Sequence, residues 1–575
     1  MRVKRALSGA KGGGGRVVSK RLRAGIAGVV GAIVAFGMAE LVHGLVEPVP
    51  SVFTSLSQRV VQLTPGELVT KGIELLGQAD IPTLVTCMIA GALLLAAALA
   101  NLAVRQPALA LVGVGALAAI GIAASLAQPF VAPVPTILTV VGALILGVAV
   151  TETLLRAAGL RVGKTAPAGP AGSDPSPVVR SREAHSVGGM RIGRSGFLLL
   201  SGGAAAAGLA AIGAGRLLAG GGEQASAAPK PLRLPESKPT ANQPSPSSKE
   251  NTRGGGQPAV KHETLPPPPQ DASIEVAGMP KLITPASAFY LIDTELVSPR
   301  IDANTWKLSV KGAVDNPIEL SYKDLLDMST READITLSCV SNPVGGGLVS
   351  NGRWTGVLLS DVLAEAGVSR DKITRSNMQL VGRSVDGFTT GFRTQIALDG
   401  REALVALGLN GSELPIKHGY PVRLVVPGLY GYVSATKWLS EIELTNWNFD
   451  AYWIQRTWSK EGPIKTQSRI DTVQDGAQIP SGKTPIGGIA WAPHRGIEGV
   501  EVSTDGGASW NVARLAKQLS PDTWRQYVYE WEARPGQYTL QVRATDGRGE
   551  TQTATQTPPH PSGATGYHTV GVTVM

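Results

Sequence analysis

The sequence predicts a multidomain chain, with an all-α membrane region followed by an α+β domain and an all-β sandwich. Residues 1–220 are rich in Ala, Leu, Val and Gly and almost free of aromatic residues. Residues 275–575 hold all ten tryptophans and have mixed charge and alternating apolar positions. With 575 residues, the chain is also too long for one domain, because domains usually contain about 100–200 residues.

The first part contains five apolar segments, each of the roughly 20 residues that a helix needs to cross a bilayer. We place these spans at 24–46, 81–103, 107–127, 134–155 and 196–219. Basic residues cluster before residue 24, at Arg105 and between residues 156 and 194, next to the apolar segments. The positive-inside rule then predicts a multi-pass protein of the cell membrane with a cytoplasmic N-terminus. Everything after residue 220 is expected on the extracytoplasmic side.

The distribution of positive charge excludes one class of partner and favours another. The net charge of +9 is concentrated beside apolar segments, not along a basic surface with interleaved aromatic residues, so no nucleic acid is expected. Membrane lipid is the expected environment of residues 1–220. The spans contain a single histidine, His43, and the chain has no C-x-x-C-H motif, which argues against a bis-histidine or covalently attached haem. The helices are therefore interpreted as an anchor or a docking surface.

Residues 221–280 are rich in Gly, Ser, Pro, Lys and Gln and end near "LPPPPQ". Such a composition buries little apolar surface, so we predict a disordered linker here.

The α+β domain is assigned to residues 281–460. "TWKLSVKGAV", "DITLSCV", "YPVRLVVPG" and "KWLSEIEL" alternate as strands. "SYKDLLDMS" predicts a short helix with Ser321 as its N-cap, and "LLSDVLAEAGV" predicts an apolar-striped helix that ends at Gly367.

From about residue 461 to residue 575, short strands recur between turns, among them "IGGIAWA", "YVYEWEA" and "GQYTLQVRATD". This spacing is typical of an immunoglobulin-like sandwich, here without its disulfide.

The chain has only two cysteines, and they differ in context. Cys87 lies within an apolar span, whereas Cys339 follows a strand and precedes the loop "VSNPVGGG". A disulfide between them is not expected. The residues alone leave two interpretations of Cys339 open: a buried, inert thiol, or a metal ligand or nucleophile.

Seven ordered stretches of residues 280–575 resemble the sulfite oxidase family of molybdopterin oxidoreductases. They are "FYLIDTEL", "WKLSVKGAV", "LSCVSN", "GRWTGVLLSDVLAEAG", "NGSELPIKHGYPVRLVVPGLYGY", "TKWLSEIEL" and "VEVSTDGGASW". The family combines a cofactor domain with an immunoglobulin-like dimerisation domain, so the resemblance allows a homodimer. It includes sulfite oxidases, assimilatory nitrate reductases and a periplasmic reductase of methionine sulfoxide in proteins. Residues 1–220 match none of these enzymes.

The resemblance implies a Mo-molybdopterin cofactor and a role for Cys339 as both metal ligand and catalytic residue. Soft thiolate is a suitable ligand for such a centre. The cofactor-binding residues carried over by resemblance are Tyr290, Asp293, Thr294, His418, Arg423, Ser434, Thr436 and Lys437. Arginine suits this role because its planar fork meets phosphate oxygens bidentately.

Two departures from the family concern the substrate. Sulfite oxidases have an arginine five residues after the metal cysteine, where this chain has Val344, and a tyrosine near the metal, where it has Trp458. Arg353 or Arg456 are candidate replacements for the missing arginine in the substrate pocket. Sulfite is therefore disfavoured, and a sulfoxide-like or other small oxo-substrate is expected.

The sequence thus predicts a membrane-anchored, molybdopterin-dependent enzyme of oxygen-atom transfer. The alternative is a catalytically inactive relative that acts as a membrane-tethered assembly or interaction protein. Because no haem domain was recognised, the enzyme needs a separate electron-transfer partner, either a cytochrome or a quinol-linked subunit.

Overall fold

The computed structural model describes residues 11–46, 49–65, 68, 72, 80–128, 131–160, 194–225, 230–233, 261–295, 298–369, 373 and 377–575. The chain divides into two compact units. The first comprises Met1–Thr64 and Lys71–Ala227, and the second comprises Pro65–Thr70 and Ala228–Met575.

The first unit is helical throughout its described part. Its helices are α1 (Lys11–Leu45), α2 (Val52–Leu63), α3 (Asp80–Arg105), α4 (Pro107–Leu126), α5 (Pro133–Ala157) and α6 (Arg194–Ala225). All but α2 contain stretches that are long and apolar enough to cross a membrane, five in the described residues. The predicted apolar segments are therefore helices, while their crossing of a membrane stays a prediction. The basic residues between 161 and 193, on which the predicted orientation partly depends, lie outside the described residues.

Glycines allow close contact between α1 and α6. A Cβ atom added to Gly37 would lie 2.4 Å from the carbonyl oxygen of Gly208, and one added to Gly44 would lie 2.4 Å from that of Gly215. Small residues of this kind let helix backbones approach each other closely. In lipid, where apolar side chains gain nothing by leaving water, this close van der Waals packing is what holds helices together.

The second unit begins with an α+β region built on two sheets. Its strands are β1 (His262–Glu263), β2 (Lys307–Gly312), β3 (Ile318–Ser321), β4 (Thr330–Ser338), β5 (Val349–Leu358), β6 (Met378–Ser384), β7 (Thr389–Arg393), β8 (Leu404–Leu409), β9 (Ser412–Glu413), β10 (Arg423–Val425) and β11 (Leu439–Asn446). Its helices are α7 (Tyr322–Asp327), α8 (Leu359–Glu365) and α9 (Gly431–Ser434). One sheet has the order β1-β4-β5-β8-β10, with β9 paired to β8, and the other has the order β3-β2-β11-β6-β7.

Local sequence chemistry explains where these elements begin and end. The Ser321 hydroxyl accepts a hydrogen bond from Asp324 N and the Asp324 carboxylate accepts one from Ser321 N, a capping box that starts α7. Gly367 follows α8 with φ +76°, a left-handed conformation that glycine adopts without a Cβ clash. Leu308, Val405 and Leu424 from both sheets lie in one buried core, which fixes how the sheets face each other.

The C-terminal part is a two-sheet sandwich. Its strands are β12 (Gln467–Ile470), β13 (Ala477–Ile479), β14 (Gly482–Trp491), β15 (Ile497–Ser503), β16 (Asn511–Val512), β17 (Arg514–Leu515), β18 (Arg525–Ala533), β19 (Gly536–Asp546) and β20 (His568–Val574). The sheet orders are β12-β14-β18-β17 and β13-β20-β19-β15-β16. Ile486 and Tyr527 of the first sheet and Val502 and Val542 of the second share one core. An immunoglobulin-like connectivity and a dimerising role stay predictions.

The linker prediction for residues 221–280 needs correction in the described residues. Residues 221–225 continue α6, and Glu413 N donates a 2.8 Å hydrogen bond to Lys230 O. Strand β1 pairs in parallel with β4, so residues 261–263 belong to the first sheet. The few apolar residues of the segment explain the difference, because Ala272 and Ile274 are buried. The intervening residues 234–260 lie outside the described residues.

Gln526 offers a test of this packing. Its side chain accepts a 2.6 Å hydrogen bond from Ile274 N and donates one of 2.6 Å to Pro280 O. We expect Gln526→Ala to lower the free energy of unfolding by about 1–3 kcal/mol, because a buried backbone N–H loses its acceptor. Denaturant titration measures the loss, and Gln537→Ala, an exposed glutamine of β19, is the control. Equal stability of both variants would contradict the structural role of this contact.

Candidate active site

A cavity in the second unit collects residues from many parts of the chain. It lies beyond the end of β4, and its other walls come from segment 289–294, the β6–β7 turn, β10, residues 431–438 and the stretch around Trp458. About 870 Å³ of space lies between its walls, counted together with the open solvent at its mouth.

Cys339 lies at the carboxyl end of β4 and lines this cavity. Its backbone N donates to Leu348 O at 2.9 Å, and the Asn342 side chain accepts from Leu348 N at 2.8 Å, so the following loop is closed on itself. Burial raises the pKa of the thiol, while the backbone N–H of Ser341 acts in the opposite direction. A bound metal ion would favour the thiolate, because the deprotonated sulfur is the ligand.

Two cations line the side of the cavity near Cys339. The Arg423 side chain is 4% exposed, donates to His418 O at 3.1 Å and lies 5.1 Å from the centre of the Trp354 ring. Among the described residues it forms no ion pair with a carboxylate, and burial lowers its pKa to about 10. Lys437 pairs with Asp293 at 2.7 Å, and burial lowers the pKa of this lysine to about 8.

His418 is buried beside this cationic region but does not line the cavity. Its Nε2 lies 3.1 Å from Ala286 O, and a carbonyl oxygen only accepts, so Nε2 carries the proton and Nδ1 is an acceptor. Nδ1 is buried and has no hydrogen-bond partner among the described residues. Burial lowers the pKa of His418 to about 3, so the ring is neutral.

These features fit an anionic cofactor that carries a thiolate-binding metal. A buried arginine without a carboxylate partner requires a compensating anion. The thiol of Cys339 is a soft ligand suited to such a metal. Tyr290 and Thr294, also expected at the cofactor, line the same cavity.

The other side of the cavity is aromatic. The Trp458 ring centre lies 6.0 Å from that of Tyr432 and 6.1 Å from that of Trp453. The Tyr432 hydroxyl donates to Ser459 O at 2.6 Å, so it is not directed to a ligand as a donor. The indole N–H of Trp458 is buried and has no acceptor among the described residues. This wall offers apolar ring surface and the indole N–H of Trp458, and its three aromatic side chains carry no charge.

Besides His418, four expected site residues do not line the cavity. Arg353 donates twice to Asp334, each time at 2.9 Å, and Arg456 stacks on Tyr452 with its guanidinium carbon 3.7 Å from the ring centre. Neither therefore replaces the arginine missing at Val344. Ser434 donates to Tyr430 O at 3.0 Å, and Thr436 shares a 2.7 Å hydrogen bond with Thr390. These two hydroxyls hold the protein backbone and sheet beside Lys437.

Sequence reasoning missed several residues of the cavity wall. Asp386 and Phe388 come from the β6–β7 turn, and Tyr432 and Trp453 come from later segments. The Asp386–Gly387 pair between two strands is a turn-forming dipeptide that could have drawn attention to this position.

Comparisons with known proteins identify the region around the cavity. Residues 295–453 match the family model described as "Oxidoreductase molybdopterin binding domain". Mitochondrial sulfite oxidase of Rattus norvegicus is 31% identical over 291 residues, which cover 44% of this chain and 53% of that protein. Nitrate reductase [NADPH] of Mycosarcoma maydis is 29% identical over 333 residues, 46% of this chain and 33% of that protein. The chain thus spans about half the length, or less, of these curated relatives.

Among solved structures, the sulfane dehydrogenase SoxCD of Paracoccus pantotrophus matches with 23% identity and a TM-score of 0.44, over 52% of this chain and 82% of that one. The matched family model does not extend to the helices before residue 226. Residues 295–453 are thus similar to a molybdopterin-binding oxidoreductase domain, a domain type that binds molybdopterin, and the second unit contains the region that is similar to sulfite oxidase.

Proposed function

We propose that this protein is a membrane-anchored, molybdopterin-dependent oxidoreductase that transfers an oxygen atom to or from a sulfoxide-like or other small, uncharged oxo-substrate. The observation that carries the proposal is the division of one cavity into a thiol-and-cation side and an uncharged aromatic side. The first side suits the cofactor, and the second leaves room for a substrate that brings no charge of its own.

The residues of the first side have distinct roles in this proposal. Cys339 is the protein ligand of the metal, Arg423 faces the anionic part of the cofactor, and the Lys437–Asp293 pair borders the cavity. His418 lies behind the cavity wall, where its backbone oxygen accepts a 3.1 Å hydrogen bond from Arg423 and helps to position that arginine. When bound, the molybdenum centre supplies the two-electron chemistry of oxygen-atom transfer, and the protein supplies binding, orientation and exclusion of water.

The aromatic side argues against an anionic substrate. The described cations that line the cavity are Arg423 and Lys437, and both lie on the cofactor side. Sulfite bound against Tyr432, Trp453 and Trp458 would therefore lack a cation of its own. A thioether or sulfoxide, by contrast, packs favourably on aromatic rings through its sulfur and alkyl groups.

Electron transfer and location complete the proposal. The five apolar helices anchor the enzyme in the cell membrane, with the second unit on the extracytoplasmic side. A separate cytochrome or quinol-linked subunit exchanges electrons with it. The inactive alternative is disfavoured by Arg423. Burial of an arginine without a carboxylate partner costs free energy, and a protein that binds no anionic cofactor would not offset that cost.

The substrate prediction separates sulfoxides from sulfite. We expect the detergent-solubilised protein to oxidise a reduced viologen when dimethyl sulfoxide or methyl phenyl sulfoxide is added, with ordinary turnover of about 1–10³ per second. With sulfite and ferricyanide, we expect no turnover above background. Sulfite oxidation at an ordinary rate would refute the substrate assignment. Absence of molybdenum from carefully matured protein, measured by elemental analysis, would instead support the inactive alternative.

A further inference from the structure

Asp386 occupies the boundary between the cavity and solvent. It lies in the turn between β6 and β7, lines the cavity and is half-buried, while the next residue, Gly387, is exposed. Its Oδ1 accepts a 2.8 Å hydrogen bond from Phe388 N, which fixes the carboxyl group in the turn. Among the described residues, Asp386 forms no ion pair.

The other titratable groups of the cavity are already engaged. Asp293 is paired with Lys437 at 2.7 Å, and the Tyr432 hydroxyl donates to a backbone carbonyl. Burial raises the pKa of Tyr290 far above its usual value, and Arg423 stays protonated at all ordinary pH values. Asp386 is therefore the carboxyl group of the described cavity wall that is free to gain and lose a proton.

We propose that Asp386 carries protons between solvent and the oxygen atom that is transferred in the cavity. This inference rests on the proposed function, because oxygen-atom transfer has a fixed proton requirement. Reduction of a sulfoxide follows R₂S=O + 2 H⁺ + 2 e⁻ → R₂S + H₂O. The S=O bond breaks, two O–H bonds form, and sulfur is reduced to the thioether by two electrons from the external one-electron donor. Asp386 delivers the protons one at a time and is reprotonated from solvent at the Gly387 edge.

The electrostatic surroundings support this role. Burial raises the pKa of Asp386 above that of an exposed aspartate, which favours a carboxyl group that holds a proton. Two charged groups lie close enough to act on Asp386. The positive charge of Lys437 opposes the rise in the pKa of Asp386, and Asp293 forms an ion pair with the same lysine. Positioned proton transfer of this kind contributes about 10²–10⁴-fold to a rate.

The test compares Asp386→Asn with Asp386→Glu. Asparagine retains an acceptor for Phe388 N but carries no proton, so we expect unchanged molybdenum and pterin content and a kcat about 10²-fold lower for the sulfoxide. In the wild type, kcat should fall as pH rises through the pKa of this carboxyl group, because the protonated form is the donor. We expect Asp386→Asn to lose this fall and Asp386→Glu to recover part of kcat. Asp361→Asn, on the exposed face of α8, is the control. A wild-type kcat and pH profile in Asp386→Asn would overturn the proposal.

A second measurement is independent of the substrate. Infrared difference spectra of the resting holoenzyme between acidic and neutral pH should contain a protonated-carboxyl component that titrates above the pKa of an exposed aspartate and is present in the wild type but missing in Asp386→Asn. Signals from Glu402 and Asp471, whose pKa values burial also raises, are common to both proteins and cancel when the two spectra are subtracted. If the wild type reduces no sulfoxide, the proposed function fails, and this band still decides whether Asp386 holds a proton. A spectrum without such a band, or with the band retained in Asp386→Asn, would overturn the proposal.

Discussion

We expect Cys339→Ser to retain the pterin and lose turnover by more than about 100-fold. Changes to residues that only support a metal ligand cost 10–100-fold, and this change replaces the proposed ligand itself. A serine hydroxyl is a harder and much less acidic group than a thiol, so it binds a thiolate-preferring metal poorly. The substitution is nearly isosteric and the backbone bond from Cys339 N to Leu348 O is unaffected, so the loop should keep its conformation. Turnover with reduced viologen and pterin fluorescence after denaturation provide the two measurements.

The second cysteine gives a matched control. Cys87 lies in α3 of the first unit, so Cys87→Ser should leave turnover unchanged. Alkylation of the native holoenzyme should spare Cys339, because a metal-bound thiolate is protected. Removal of the cofactor should expose Cys339 to the reagent. Wild-type turnover in Cys339→Ser, or equal labelling of Cys339 with and without cofactor, would contradict the metal assignment.

Arg423→Ala is expected to lower cofactor occupancy and leave the KM of the remaining active fraction unchanged. Hydrogen bonds to charged groups contribute about 1.5–3 kcal/mol each, and every 1.4 kcal/mol is a tenfold change in affinity. Loss of one or two such bonds should weaken cofactor binding about 10–10⁴-fold. The cofactor-free protein should not lose stability in proportion, because the substitution also removes a buried charge without a carboxylate partner. Molybdenum content per protein and the melting temperature of the cofactor-free form measure these effects.

Two further variants sharpen this test. Arg423→Lys keeps the charge but loses the planar fork, so its occupancy should lie between those of Arg423→Ala and the wild type. Arg353→Ala breaks the pair with Asp334 away from the cavity and should reduce stability at full occupancy. Full molybdenum content with a raised KM in Arg423→Ala would instead place this arginine at the substrate.

The sequence predicted best what depends on short-range patterns. Alternation located β4 and β11, and Ser321 marked the start of α7 because a capping box needs only a serine and an acidic residue three positions later. The apolar runs located the five long helices because length and composition alone define them. Cys339 stood out through its rarity and its place at a strand end, and the family resemblance then gave it a chemical role.

Long-range pairing explains most of what the sequence did not predict. Arg353 was a candidate for the substrate pocket because the sequence does not show its partner. Its partner is Asp334, which the antiparallel pairing of β4 with β5 places directly opposite. Arg456 is held by Tyr452, four residues away, and so is turned from the cavity. The aromatic wall was only partly foreseen, since Trp453 and Tyr432 come from different segments. The linker was misjudged in its last twenty residues because a proline-rich composition concealed a few anchoring positions such as Ile274.

Hydrogen bonds on both sides of residues 234–260 have a consequence for a cleaved chain. Leu232 N donates to Gly411 O beside β9, and β1 pairs with β4, so both flanks of this stretch are held by the same sheet. A single cut within it therefore leaves two fragments whose new ends are each fastened to one folded body. Such a nicked protein keeps its apolar helices and its second unit in a single particle, although denaturation separates it into two polypeptides.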